Sequence, residues 1–144
     1  MQIYFAAPLF GEAELEFNRR LAAELEERGH DVFLPQRDGI EIAEVYDQPD
    51  VGDIYDLMDE VFRIDRDAVY EADLLTAVLD GQVPDEGVAL EMGLAYENDV
   101  PIVAMKTDTR SFSPDEPVNA MLWGAADEFV ETTDALLAAV DDRA

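Results

Sequence analysis

The sequence has 144 residues, 49% of them apolar, which is material for one ordinary domain with a real core and excludes intrinsic disorder. Its 35 acidic and 9 basic residues leave a formal net charge of −26, a surface that repels phosphate backbones and anionic lipid and so excludes a duplex-DNA or anionic-membrane binder. There is no cysteine for a disulfide or a thiolate zinc site, and no signal-peptide or membrane-span pattern, so a cytoplasmic protein is expected.

Elements follow in chain order. Ile3-Tyr4-Phe5-Ala6-Ala7 is a buried-strand pattern ended by Pro8. A helix is predicted from about Gly11 to Arg28, with Ala13, Phe17, Leu21 and Leu25 at four-residue spacing and Gly29 closing it. Asp31 to Leu34 reads as a second strand. Gln36 to Gly52 reads as a loop with room for a short turn of helix. From Asp53 to about Glu71 a second helix puts Ile54, Leu57, Met58, Val61, Ala68 and Val69 on one face. Leu74 to Leu79 is apolar on both faces, as central parallel strands are. A third helix runs from Asp85 or Glu86 to near Asn98, a fourth strand from Pro101 to Met105, and 107–118 is a polar loop. Glu128 to Val130 is a short last strand, and Thr132 to Val140 a closing helix. With no repeat and no linker, this alternation predicts a single α/β domain over residues 1–144. Its core is a doubly wound parallel sheet of about five strands with helices on both faces.

The acids are spread along the chain rather than gathered in a tail. That spread reads as a solvated surface of halophilic type, where salt screens self-repulsion, more than as a cation-binding face.

In a doubly wound sheet, ligands sit beyond the carboxyl ends of the strands. Strand one ends in Ala-Ala-Pro-Leu-Phe, small residues that admit a close approach. After strand three, Asp85 is placed to cap the third helix, and Gly87 leaves room at its first turn. Glu91 lies six residues on, about 240° around the helix, yet a capping Asp85 can fold over the helix end toward a ligand that Glu91 also touches. Set among Leu90, Met92, Gly93 and Ala95, Glu91 is expected to be partly buried. The plain alternative is a capping Asp and a Glu bonded to neighbouring backbone. Tyr4 is a buried phenol that packs in the core or finds a polar partner. Asp65 shares a helix face with Val69 and, in this composition, reads as a solvated acid, while Arg63 and Arg66 can pair with nearby acids. His30, in a Gly-His-Asp turn, reads as solvent-facing. One histidine and no cysteine make no metal-ligand set, no Ser or Cys pairs with a histidine, and no glycine-rich phosphate cradle appears. No metal or cofactor is expected.

Four segments then become recognisable in order. They are Ile3 to Phe10, the Ala-Asp-then-apolar run ending at Asp80-Gly81, Asp85-x-Gly87-x-x-x-Glu91-x-Gly93-x-Ala95, and Pro117-Val118-Asn119-x-Met121-x-Trp123-Gly124. Together they resemble the nucleoside 2-deoxyribosyltransferase family over nearly the whole chain. The resemblance implies a flavodoxin-like fold and a homodimer or higher homo-oligomer. It implies Glu91 as the nucleophile on the anomeric carbon, with Tyr4 hydrogen-bonded to it and Asp65 at the base-binding end where a proton must reach the departing base. It further implies a substrate-binding set of Asp85 on a sugar hydroxyl, Gly87, Phe10, and Asn119 and Met121 reaching into a neighbouring subunit's site. Some members add a C-terminal aromatic carboxylate, whereas this sequence closes Asp141-Asp142-Arg143-Ala144, so the resemblance assigns nothing to the sugar 5′-hydroxyl.

The implied reaction is transfer of a 2-deoxyribosyl group between nucleobases through an ester on Glu91, with retention. Its partners are 2-deoxyribonucleosides and free bases, not nucleic acid or membrane. Two rivals remain: an N-glycosidase of deoxynucleoside 5′-monophosphates, whose phosphate the acids Asp85 and Glu86 would repel, and a non-catalytic nucleotide-binding module, which gains little from an apolar-lined carboxylate.

Overall fold

A computed structural model describes residues 1–40, 53–111 and 113–144 of the chain. Its strands are β1 (Gln2–Ala6), β2 (Asp31–Phe33), β3 (Leu74–Val78), β4 (Ile102–Met105) and β5 (Glu128–Val130). All pair in parallel in the order β2-β1-β3-β4-β5, so the chain reverses its direction of winding between β1 and β3. The helices are α1 (Glu12–Glu27), α2 (Pro35–Asp38), α3 (Ile54–Glu71), α4 (Glu86–Glu97), α5 (Ala120–Ala125) and α6 (Thr133–Asp141). The five-stranded, doubly wound α/β architecture read from the sequence is therefore present. The expected 36–52 loop begins with the single turn α2, and its stretch 41–52 lies outside the described residues.

Alternation along the strands separates two cores. Ile3, Phe5, Leu74, Val78, Val103 and Met105 face α1 and α6 and meet Leu21, Leu25, Leu136 and Val140. Tyr4, Leu75, Ala77, Ile102 and Ala104 face the other way, toward Val69 of α3 and Val88, Met92 and Ala95 of α4. Both faces are covered, which is why the central strands read as unbroken apolar runs. On the second face Ala6, Ala77 and Ala104 stand in register across three neighbouring strands. This row of single methyl groups lets α4 lie close to the sheet. Ala6 and Ala7 at the end of β1 are buried, one in each core.

Local chemistry sets the ends of the elements. Asp53, Asp85, Asn119 and Thr132 each accept a backbone N–H from the first turn of the helix they precede, satisfying donors that would otherwise be orphaned. Gly29 ends α1 at φ +91. At the amino edge of the sheet, Asp73 and Asp127 do the same for strands. The Asp73 N–H donates to the Gln2 carbonyl (2.9 Å) while its carboxylate accepts the Gln2 N–H (2.8 Å), and Asp127 repeats this with Ile102 (2.9 and 2.8 Å).

Several expectations are corrected. His30 is buried rather than solvent-facing, with Nε2 3.5 Å from an Asp141 carboxylate oxygen, because α6 folds back over the turn between α1 and β2. Helix α5 stands where only a motif was read, its six residues being too few to show a period. On α3 only Val69 of the predicted apolar face is buried, and Met58 is half exposed. Only the last turn of that helix reaches the sheet. In α1 the buried side includes a polar residue, Asn18, whose amide donates to the Pro8 carbonyl (2.9 Å) and to Gln36 Oε1 (3.0 Å). Among the described residues no helix is long and apolar enough to cross a membrane.

The strand-edge carboxylates yield a stability test. Asp127→Ala leaves the Ile102 N–H without its charged acceptor and should cost about 1–2 kcal/mol, read as a lower urea midpoint with unchanged slope.

Candidate functional site

Helix α4 carries Glu91 over β1, and the Tyr4 hydroxyl donates to its Oε1 at 2.6 Å. Tyr4 is fully buried and its ring stacks on Phe33 of β2, with centroids 5.5 Å apart and planes 13° from parallel. The phenol is thus held by the sheet on its face and by the helix at its tip. Burial, then the Glu91 and Asp65 charges, push the Tyr4 pKa far upward, so this group stays a proton donor throughout the working range.

Glu91 opens onto a cleft of about 250 Å³ between α3 and α4. Met58, Val61, Phe62, Asp65 and Arg66 line it from α3, and Gly87, Leu90, Glu91 and Leu94 from α4. On each helix these residues follow the three-and-four spacing of one face, so the cleft is the groove between two helical stripes. Its wall is mostly apolar. Burial raises the Glu91 pKa to about 7, with the Asp65 and Asp85 charges adding to the rise and the Tyr4 hydrogen bond opposing it. Burial alone raises Asp65 to about 6. Its Oδ1 has no hydrogen-bond partner among the described residues. The solvated reading of Asp65 is therefore corrected, because the groove rather than the composition decides its surroundings.

Asp85 is the N-cap of α4, and its Oδ1 accepts the Val88 N–H (3.1 Å). A Cβ at Gly87 would come within 3.0 Å of that oxygen, so what Gly87 leaves room for is the Asp85 carboxylate. Asp85 is near enough to raise the Glu91 pKa. Tyr4, Asp65, Asp85, Gly87 and Glu91 thus gather at one place beside β1. The other three candidates do not. Phe10 is 77% exposed in the turn before α1, where its N–H donates to Glu14. Asn119 caps α5, and Met121 beside it is 80% exposed. None of these three lines the groove. Arg66, the one cation on its wall, is tied to Asp67 at 2.5 Å.

Carboxylates in an apolar groove, one of them holding a buried phenol, suit a reaction that passes through positive charge on carbon. A family model described as nucleoside 2-deoxyribosyltransferase matches residues 3–136. The chain belongs to the nucleoside 2-deoxyribosyltransferase family. Membership supports an enzyme acting at the glycosidic bond of nucleosides. The fold is similar to that of a conserved protein from Enterococcus faecalis V583, with a TM-score of 0.82, 29% identity, and 99% of this chain and 98% of that one covered. It is similar too to a 2-deoxyribosyltransferase from Bacillus psychrosaccharolyticus, with a TM-score of 0.75, 22% identity and coverage of 95% and 90%. A CMP N-glycosidase from Clostridium botulinum shares the fold at a TM-score of 0.62, 19% identity and 100% coverage of both chains. No curated protein matches the chain by sequence.

Of the groove's walls, Phe62 and Leu94 were not singled out from the sequence, while Met58 and Val61 were expected on the apolar face of α3. Their signal was present as the shared spacing around Asp65 and Glu91.

An acid whose folded pKa is raised binds its proton more tightly in the fold than in the unfolded chain. Its stabilising effect is complete below the unfolded value of 4.5 and is lost as pH rises toward about 7. At pH 8 ionised Glu91 therefore costs on the order of 3 kcal/mol. Glu91→Gln keeps an acceptor for Tyr4 and should raise the unfolding midpoint by several degrees at pH 8, with a much smaller gain at pH 5. Equal midpoints at pH 8 would contradict the burial argument.

Proposed function

We propose that the protein transfers a 2-deoxyribosyl group from one nucleobase to another through a covalent ester on Glu91. The observation that carries this reading is the Tyr4–Glu91 contact at the floor of the groove. A phenol at 2.6 Å fixes one carboxylate oxygen and leaves the other for the anomeric carbon. As the glycosidic bond breaks, its electron pair goes to the base nitrogen, and Asp65, raised to about 6, supplies the proton. The Glu91 carboxylate stabilises the oxocarbenium-like charge and then captures it as an ester. An incoming base attacks the same carbon, the ester bond breaks back to carboxylate, and the base proton returns to Asp65. Two displacements restore the β configuration. Apolar walls at Met58, Phe62, Leu90 and Leu94 slow the water that would otherwise take the sugar. Asp85 holds a sugar hydroxyl with the oxygen not used by the helix cap.

Incubation with deoxyinosine and free adenine should yield deoxyadenosine by ping-pong kinetics. Release of free sugar without an added base would instead identify a hydrolase. Deoxynucleoside 5′-monophosphates should be poor substrates, since the only cation on the groove wall is already paired with Asp67. Glu91→Gln should bind substrate yet lose most turnover, and a 2-fluoro-substituted deoxynucleoside should add its sugar mass to the peptide holding Glu91. Asp65→Asn should slow turnover by about 10²–10⁴-fold, most with the poorest leaving bases. Glu91 must be ionised and Asp65 protonated, so activity should follow a bell with its maximum between about pH 6 and 7. Asp65→Asn should remove the falling limb.

Asn119 and Met121 lie away from their own chain's groove, and we assign them to the groove of a neighbouring copy. Half-exposed or exposed Tyr55, Met58, Phe62, Leu90 and Trp123 on the same helical layer support an apolar contact between copies. Two chains of charge −26 associate only where salt screens them, so assembly and activity should rise together with salt toward the molar range. A monomer with full activity in sedimentation and rate measurements would refute the shared site.

A further inference from the structure

The chain has one lysine, and it is buried outside the groove, 9% exposed, just past β4. An ammonium group taken out of water costs several kcal/mol unless its donors are all used. Here they are. Lys106 Nζ donates to the carbonyls of Leu79 (3.3 Å) and Gly81 (2.8 Å) and to Asp108 Oδ1 (2.7 Å). The other Asp108 oxygen accepts the Gly81 N–H (2.8 Å). Both backbone groups of Gly81 are therefore gripped by the two members of one ion pair. Asp80 closes the arrangement from the opposite side, accepting the Thr107 N–H (2.6 Å), the Asp108 N–H (3.1 Å) and the Thr107 hydroxyl (2.7 Å).

The residue so gripped is conformationally special. Gly81 stands at φ +113, in the left-handed region, and a Cβ there would press to 3.3 Å from the Val83 carbonyl. The chain turns sharply and reaches Asp85 four residues later. Burial raises the Asp108 pKa, but Lys106, the Gly81 N–H and Arg110 together bring it down to about 2, so Asp108 stays ionised wherever the enzyme works.

We propose that Lys106, acting with Asp108, is a positioning residue for Asp85: by locking Gly81 it sets the 81–84 turn and thereby where the Asp85 carboxylate meets the sugar. Lys106 does not touch substrate. A lysine suits the place because three donors around one nitrogen can reach two carbonyls and a carboxylate, whereas the planar fork of an arginine cannot. The inference rests on the assignment of Asp85 to a sugar hydroxyl made under the proposed function.

Its test compares a 2′-deoxynucleoside with its 2′,3′-dideoxy and 2′,5′-dideoxy analogues in the parent enzyme, Asp85→Ala, Lys106→Met and Thr107→Val. The ratio of kcat/KM with and without a hydroxyl reports the Asp85 contact, and a charge-assisted hydrogen bond makes it about 10–100-fold in the parent. Asp85→Ala should bring the ratio for one analogue close to one. Lys106→Met should lower that same ratio at least fivefold while changing the rate on the analogue itself by less than twofold. Thr107→Val should act in the same direction more weakly, and it serves if the lysine variant does not fold. A ratio that collapses in Asp85→Ala but survives in Lys106→Met and Thr107→Val overturns the proposal and spares the role of Asp85. A ratio unchanged in Asp85→Ala overturns both. Independently of activity, amide hydrogen exchange at Val88, whose N–H is held by Asp85, should accelerate in Lys106→Met. Unchanged protection there counts against the clamp even if the enzyme acts on no nucleoside.

Discussion

The hydrogen bond from Tyr4 to Glu91 ties a strand in the middle of the sheet to the helix that covers it, and much of the molecule serves to make that contact possible. The phenol can be buried because Phe33 covers its ring and Glu91 accepts its proton. The helix can come near enough because alanines stand in register at Ala6, Ala77 and Ala104. Its first turn is oriented by the Asp85 cap, which in turn needs Gly87 to lack a side chain. The contact lies beside the β1/β3 boundary, where the winding of the sheet reverses and a crevice opens between connections that diverge.

A carboxylate held in an apolar groove lowers the stability of the chain that carries it. Glu91 and Asp65 both have raised pKa values because water is kept from them. In the reaction proposed for the groove, the same dryness would strengthen their field at a developing cation and slow its capture by water. The energetic cost is met elsewhere, by two well-filled cores on either side of the sheet. Their buried leucines, isoleucines and valines each contribute about 1.5–3 kcal/mol.

Charge is distributed with similar economy. Arg19, Arg28, Arg37, Arg63, Arg66, Arg110, Arg143 and Lys106 all stand in ion pairs, and Arg20 lies over the Phe17 ring. Exposed pairs of this kind contribute little to stability. Their consequence is that positive charge is scarce at the surface and spoken for in the groove. Many of the acids are solvated, yet Asp73, Asp80, Asp85, Asp108 and Asp127 each accept backbone N–H groups at the ends of strands and helices.

The sequence by itself determined the architecture, because period-two and period-3.6 patterns and capping residues act over a few neighbouring positions. All five strands, the four longer helices and the cap at Asp85 were legible in this way. The family motifs, being contiguous, brought Tyr4, Asp85, Gly87 and Glu91 forward together. What required the tertiary structure was every property that depends on residues far apart in the chain. The dry setting of Asp65 comes from facing α4 across the groove, and nothing within α3 distinguishes that acid from its solvated neighbours. His30 is covered by α6, more than a hundred residues later. Met58, expected on the apolar face of α3, became with Phe62 a wall of a cleft because α3 meets the sheet only at its end. The sequence shows Lys106 only as the single lysine of an acidic chain. Only folding brings it to the carbonyls of Leu79 and Gly81, since hydrogen bonds between strand ends are decided by register and not by spacing.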